Sequence, residues 1–278
     1  MEQGHVQQSL GPIEIRIADQ MSEEILEKTS FEKRYRKLRK SFAKKLKSFL
    51  LDANEANTHE IRTAIRKLDA SLQLLPKKVQ KSKKTRRFVK ATKKVMKESA
   101  EVRDLDVIAA RISRHPQSAA RKKLLQKIEK SREKHAEKAL HLAVSASKLS
   151  LPKPGLKDFP NSKLQKRFSK LLQELSERVN SSLPIVLDDP NNIEEVHSLR
   201  KYCKRMRYLF ELATEKESEM VGDLKSWQDL LGNVHDGDVA ISYLKRSKKT
   251  KEIEEMMATE LRDRNHDYEK FVQTCIRH

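Results

Sequence analysis

One helical pattern occurs twice in this chain, and it constrains the fold more than any other feature of the sequence. The first copy begins at His59 and the second at His197, and in both a cationic residue follows the histidine three and seven positions later. At about 100° per residue these positions fall on one face of a helix. Apolar or thiol residues recur on the opposite face. Each copy therefore predicts a helix with its back in a core and a basic stripe in front, an arrangement suited to binding an anion.

The two stripes have parallel compositions. The first is formed by His59, Arg62 and Arg66, and the second by His197, Arg200 and Lys204. The opposite faces, which we predict to be buried, carry Ile61, Ile65, Leu68 and Leu72 in the first copy and Leu199, Cys203, Met206 and Phe210 in the second. Further basic residues adjoin the stripes and extend the candidate binding site, namely Lys67, Lys201, Arg205 and Arg207.

The charge balance independently indicates a polyanionic partner. The 278 residues include 60 Lys and Arg against 40 Asp and Glu, which gives a net charge of +20. Such a charge favours nucleic acid, polyphosphate or an anionic membrane surface as the partner. Basic faces often serve solubility alone, but that explanation does not account for a stripe that is repeated. With only 6 Gly, 8 Pro and few β-branched runs, the chain is predicted to be all-α.

Several classes of protein do not fit the sequence. No run approaches the roughly 18 apolar residues of a membrane span, and no secretory signal is recognisable, so we expect a cytoplasmic protein without membrane insertion. Cys203 and Cys275 form neither a disulfide framework nor a metal motif. Since no Gly-rich phosphate loop, nucleophile elbow or zinc-helix motif is present, we predict no catalytic residue, no metal site and no cofactor.

A second motif follows each stripe. The pattern Val-x-Asp-x-Asp-Val occurs at 102–107 and again at 234–239. Two motifs repeated in the same order predict an internal duplication, with two antiparallel four-helix-bundle halves related by a pseudo-two-fold axis and both stripes facing a shared basic cleft or pore. The Asp pairs have the chemistry to hold Mg²⁺, but in so basic a protein we favour pairing with stripe arginines or capping of the following helix. The four residues are Asp104, Asp106, Asp236 and Asp238.

Chain breakers predict the boundary between the two halves. Residues 151–160 contain three Pro and one Gly and are predicted to be a linker. Half one then covers about 22–150 and half two about 161–278, after a mobile lead-in at 1–21.

Three local expectations complete the outline. The His59 helix is predicted to be capped by Asn57 or Thr58. The stretch 77–97 contains eleven Lys and Arg and no acid, and its early part is predicted to be a loop. Pro184 is predicted to end the preceding helix.

The two repeated motifs resemble those of the conserved-histidine α-helical domain (CHAD) family. The shared patterns are H-x-x-R-x-x-x-[RK]-[RK] and, after each, [VL]-x-D-x-D, and the similarity covers roughly 22–275. The resemblance implies two four-helix-bundle halves around a basic, pore-like centre that binds inorganic polyphosphate. It implies this role for His59, Arg62, Arg66, Lys67, His197, Arg200, Lys204 and Arg205.

The chain departs from the family pattern at one position. A further basic residue is often found three positions after the second cation; Arg207 supplies it in the second half, but Asp69 stands there in the first. We therefore expect the first half to contribute less charge at that level of the cleft. Some family members are fused to a strand-rich triphosphate-tunnel domain, for which this chain has no segment. A stand-alone, cytoplasmic module associated with polyphosphate granules is the resulting expectation.

Phosphate chemistry supports this interpretation. The planar guanidinium of arginine donates two hydrogen bonds to one phosphate, whereas lysine acts as a point charge. A phosphate chain beside His59 or His197 would raise the pKa of the imidazole and make binding sensitive to pH. Alternatively, each histidine bonds a carboxylate such as Asp104 or Asp236, and the two roles are compatible.

Non-specific binding of nucleic acid is the main alternative function, and the lysine-rich stretch 77–97 supports it. Single-strand binders usually stack bases on aromatic side chains, but the 8 Phe, 1 Trp and 5 Tyr lie mostly at predicted core positions. Binding to a duplex or RNA backbone needs no stacking and stays open. A scaffold for acidic protein tails would fit the charge but not the repeated stripes. Non-enzymatic polyphosphate binding is the preferred prediction, and an enzyme acting on polyphosphate ranks below both binding functions.

Overall fold

A computed structural model describes residues 25–213 and 219–277, so the predicted lead-in at 1–21 lies outside the described residues. All regular secondary structure in the described ranges is helical, which confirms the all-α class. None of these helices combines the length and apolar character that a membrane crossing requires. The helices are α1 (Lys28–Leu51), α2 (Glu55–Leu72), α3 (Lys77–Gln80), α4 (Lys83–Ile112), α5 (Ala119–Ser147), α6 (Asn161–Asp188), α7 (Ile193–Ala213), α8 (Glu219–Lys245) and α9 (Lys251–Arg277).

The helices form two groups. In the first, α1 packs on α2, α2 on α4, α4 on α5 and α5 back on α1, which closes a four-helix bundle. In the second, α6 packs on α7, α7 on α8 and α8 on α9. Between the groups α2 contacts α7 and α4 contacts α8, so the helices that carry equivalent motifs meet each other. This pairing is what a duplication would produce; the duplication itself stays a prediction.

The predicted buried faces of α2 and α7 lie in one core. All eight positions named for these faces are at most 7% exposed and belong to a single apolar cluster. A smaller cluster, which includes Leu105, Ile112, Ile128 and Leu244, closes the far end between α4, α5, α8 and α9. With their backs anchored in a shared core, α2 and α7 hold their stripes in fixed positions.

The lysine-rich stretch is helical, and the prediction of a loop in its early part was wrong. After the short helix α3, Ser82 caps α4 by accepting a hydrogen bond from the Thr85 backbone N–H at 3.2 Å. Lysine and arginine are good helix formers, and Phe88, Thr92 and Val95 give α4 a buried face. Together these residues outweigh the repulsion between like charges.

The His59 helix starts earlier than predicted. Asn54, not Asn57 or Thr58, is the N-cap, and its side chain accepts from the Asn57 backbone N–H at 2.9 Å. The Asn57 amide instead donates to the Asp52 carbonyl at 2.8 Å, and Thr58 is buried. The extra turn brings Glu55 into the first turn of α2.

Pro184 does not end its helix, contrary to the prediction. Helix α6 continues through it to Asp188. A proline in a helix interior costs about 3 kcal/mol. Leu183 and Val186, on either side of the proline, are both buried in the core, and their packing offsets that cost.

A close contact between α8 and α9 leads to a prediction about Gly237. A Cβ at this position would lie 2.8 Å from Arg264 Cβ, so Gly237→Ala must displace α9 locally. Overpacking of this kind costs about 1–3 kcal/mol, against a gain in helix propensity of up to about 1 kcal/mol. We expect a net loss of unfolding free energy in urea titrations. Gly222→Ala is the matched control, because a Cβ there meets no atom within 4 Å; equal stabilisation by both substitutions would contradict the prediction.

Candidate anion-binding site

The two stripes meet where α2 contacts α7, and three of their cations define what we call the central cluster: Arg66, Arg200 and Lys204. All three are half-buried. Burial, together with the cations of both halves, Arg200 and Arg66 first among them, lowers the pKa of Lys204 to about 7. Like charges from the two halves therefore lie within electrostatic range of one another.

No carboxylate of the described residues forms an ion pair with the central cluster, although Asp104 and Asp236 act on Arg200 at longer range. Among the described residues, none of its three side chains makes a hydrogen bond or an ion pair, and the Arg200 Nε is buried without an acceptor. Burial also lowers the pKa values of Arg66 and Arg200. Unsatisfied buried donors are energetically costly, so this arrangement favours a ligand that brings oxygen acceptors and negative charge.

Arg62 has a structural role that the stripe pattern did not indicate. It is 8% exposed, and its Nη1 donates to the Met96 carbonyl at 2.9 Å. This bond ties α2 to α4. Burial lowers the pKa of Arg62 to about 10. Its charge contributes to the field of the central cluster, but its guanidinium is already engaged by protein.

Three further predicted ligands also have partners within the protein. Lys67 Nζ lies 2.6 Å from Glu211, and Arg207 Nη1 donates to the same carboxylate at 2.6 Å. Arg207 Nε also donates to Gln228 at 3.0 Å. Arg205 donates to the Gln73 side-chain oxygen. Lys201 is exposed.

The two motif histidines differ in environment. His59 is accessible to solvent and has no hydrogen-bond partner among the described residues. Its pKa is lowered, first by partial burial and then by the positive charges of Arg103 and Lys204. His197 Nε2, in contrast, lies 3.1 Å from Asp238 and 2.9 Å from His235 Nδ1. The structural alternative thus describes His197, although its partner is the second aspartate of the motif rather than the predicted Asp236.

Burial, together with the Arg200 charge, lowers the pKa of His235 to about 3. His235 is therefore neutral at physiological pH and presents one donor and one acceptor. Arg103 takes the corresponding place in the first half, where it pairs with Glu55. No such pair occurs among the described residues of the second half, so the two ends of the site differ chemically.

The second aspartate of each pair anchors the last helix of its half. Asp106 accepts from Arg132 at 2.5 Å, and that arginine also donates to a carbonyl just before α2. Asp238 accepts from Arg264 at 2.9 Å, which donates to the Pro190 carbonyl just before α7. Both arginines follow their aspartate by 26 residues. The structural role predicted for these aspartates is present, but pairing with stripe arginines was the wrong contact.

The first aspartates, Asp104 and Asp236, lie within electrostatic range of the stripe arginines. Burial raises the pKa values of Asp104 and Asp236, while Arg62 and Arg200 respectively oppose the shift. Neither carboxylate makes a hydrogen bond or ion pair within the described ranges. No group of three metal-ligating residues occurs in the described part of the chain. These carboxylates thus reduce the positive charge on one side of the site.

Sequence reasoning missed residues outside the repeated motif. Glu211 neutralises two predicted ligands, and its only sequence signal is its spacing of four from Arg207. Tyr208, one position after Arg207, is 3% exposed, and Lys67 Nζ lies 5.5 Å and Arg207 Cζ 5.0 Å from its ring centroid. The ion pairs with Glu211 and the cation–π contacts with Tyr208 therefore engage Lys67 and Arg207 within the protein.

Comparison with known proteins agrees with the duplicated motifs and the helical architecture. The sequence model of the CHAD domain family matches residues 29–245. The chain belongs to the CHAD domain family. A crystal structure of the CHAD domain from the plant Ricinus communis is similar with a TM-score of 0.61 and 15% identity, over 91% of this chain and 92% of that chain. At this identity the likeness of the two CHAD domains shows the fold alone. No curated protein matches the chain significantly.

Proposed function

We propose that this CHAD domain binds inorganic polyphosphate at the central cluster without acting on it as an enzyme. The observation that carries the proposal is the meeting of Arg66, Arg200 and Lys204 from two halves, half-buried and without an ion pair or hydrogen bond among the described residues. A chain of phosphates offers repeated negative charge and oxygen acceptors only. It would satisfy the arginine forks and reduce the repulsion between the cations.

The burial of the aromatic side chains near the site favours polyphosphate over single-stranded nucleic acid. Base stacking needs an accessible aromatic face. Tyr208, an aromatic residue in electrostatic range of Arg66 and Arg200, is 3% exposed, and two cationic side chains lie over its ring. Trp227 is 4% exposed. A ligand that has charge but no bases fits these surroundings best.

A titration of labelled long-chain polyphosphate at about 0.15 M salt tests the proposal. In the variant Arg66→Ala/Arg200→Ala/Lys204→Ala we expect at least a hundredfold loss of affinity, because hydrogen bonds to charged groups contribute about 1.5–3 kcal/mol each and about 1.4 kcal/mol is tenfold. Phosphate release during the titration should stay at the level of a protein-free control.

Lys33→Ala/Lys40→Ala/Lys44→Ala is the matched control, since it removes three charges from exposed positions of α1. Circular dichroism shows whether each variant is folded. Duplex DNA, RNA and tripolyphosphate serve as competitors. Equal losses in the two variants, together with full displacement by nucleic acid, would mean diffuse electrostatic attraction and would refute polyphosphate binding at this site.

A further inference from the structure

A strongly basic surface outside the central cluster lies on the first half of α4, in the stretch 77–97, which contains no acid. Exposed lysines at 90, 93, 94 and 97 share a shallow groove with Arg86, Val89 and Gln80, and no carboxylate lines it. At 100° per residue the five cations fall within about 100° of one another on the helix. Over eleven residues they span about 16 Å along the helix axis. We call this surface the α4 groove.

Helix α1 also carries few acids, with nine Lys and Arg against one Glu at 31–50, whereas α5 compensates its cations. On α5 the cations alternate with Glu129, Glu133 and Glu137. On the α4 groove, in contrast, none of the four lysines makes an ion pair with any described residue. A solvated helix face usually carries both signs of charge, so a run of one sign along a groove indicates a surface for an anion.

The α4 groove adjoins the central site. Arg205, a residue of the second stripe, donates to the Gln73 side chain, and the Gln73 carbonyl accepts from Gln80 at the groove's edge at 2.8 Å. Asp69 interacts electrostatically with both Arg205 and Lys93. Arg62 donates to the carbonyl of Met96, beside the last lysine of the groove. In each case a single intermediate residue connects a stripe cation to the α4 groove.

We propose that the α4 groove is a second binding surface for the same phosphate chain, and that it makes this protein prefer long polyphosphate to short. The inference rests on the proposed function of the central cluster. A short oligophosphate would occupy the central cluster alone, whereas a longer chain would continue past Gln73 onto the lysines of α4. Flexible lysine side chains suit such a track, because they act as point charges and impose no fixed register on the polymer.

The test compares the affinities of long-chain polyphosphate and tripolyphosphate for three proteins. These are the wild type, the groove variant Lys90→Ala/Lys93→Ala/Lys94→Ala/Lys97→Ala, and the control Lys33→Ala/Lys40→Ala/Lys44→Ala/Lys47→Ala. Both variants lose four exposed lysines. For the groove variant we expect about tenfold or greater loss of affinity for the long chain, with tripolyphosphate binding unchanged. Its salt dependence should also be shallower, by about 0.7 per lost contact if the chain behaves as a single strand does.

The control variant should retain most of the affinity for the long chain. Equal losses in both variants would overturn the inference, because they would indicate net charge rather than a track. A groove variant that loses binding to RNA or DNA but keeps its preference for long polyphosphate would assign the surface to nucleic acid and also overturn it. If the wild type binds neither polyphosphate, the proposed function of the central cluster fails as well, an outcome distinct from retention of tripolyphosphate binding.

Discussion

Replacement of Glu260 by glutamine is expected to lower the free energy of unfolding by about 3–5 kcal/mol, the usual cost of breaking a buried ion pair by neutralising one partner. Glu260 is 2% exposed and accepts from Arg111 Nε through one oxygen and lies 2.9 Å from His115 Nε2 through the other. Glutamine retains one acceptor but turns a donor towards the second partner. Arg111, 6% exposed, is left as an uncompensated charge between α4 and α9.

Urea denaturation followed by circular dichroism measures this effect. Glu255→Gln is the control on the same helix, because Glu255 is exposed, and we expect it to change stability by no more than about 0.5 kcal/mol. The double variant Arg111→Met/Glu260→Met should recover much of the loss, since apolar replacement of a whole buried pair is often close to neutral. A loss below about 1 kcal/mol in Glu260→Gln would show that this contact does not hold the halves together.

Raising the pH from 7 to 9 is expected to weaken polyphosphate binding about fiftyfold through Lys204 alone. In the free protein the pKa of Lys204 is lowered to about 7 by burial and by neighbouring cations. A bound phosphate chain would return the pKa towards the ordinary lysine value of 10.5, so that binding above pH 7 requires the uptake of a proton. The charged groups that face Lys204 are Arg200 and Arg207 on α7, His59, Arg62 and Arg66 on α2, and Asp236 on α8.

Lys204→Arg supplies the control, because a guanidinium stays charged throughout this range. Its affinity should depend only weakly on pH, and calorimetry in two buffers of different ionisation enthalpy should detect proton uptake in the wild type only. The same pH profile in both proteins would exclude Lys204 as the titrating group.

In the absence of ligand, the unfolded chain holds more protons than the folded one between pH 7 and 10.5. The contribution of Lys204 therefore makes stability rise with pH through that window.

The periodicity of the sequence predicted the parts of the fold that depend on local pattern. Apolar residues spaced along α2 and α7 identify their buried faces without any knowledge of neighbouring helices, and all of them are buried. The predictions failed where one interaction competes with another. Pro184 stays within α6 because core packing on both sides opposes its intrinsic preference, and α4 forms despite its charge because Phe88 and Val95 anchor it.

The candidate site was predicted only in part, for a related reason. A helical projection shows the direction in which Arg66 and Lys67 point, but not which side chain meets them from another helix. Lys67 finds Glu211 on α7, whereas Arg66 has no such partner among the described residues. His59 and His197 occupy the same place in the repeat and still differ, because only His197 has the Asp238 carboxylate within reach. Partners across helices depend on tertiary structure, which a repeated motif does not specify.

The like charges that face each other across α2 and α7 have a consequence for the life of the protein in the cell. Since the ligand would remove a repulsion that acts between the halves, occupancy should stabilise the fold, by about 2.7 kcal/mol when free ligand is a hundredfold above its dissociation constant. Chaperones and proteases act on the unfolded fraction, so a change of 1–2 kcal/mol alters abundance several-fold. We expect turnover of this protein to slow when polyphosphate accumulates and to quicken when it is consumed, so that protein level follows ligand supply without a separate regulator.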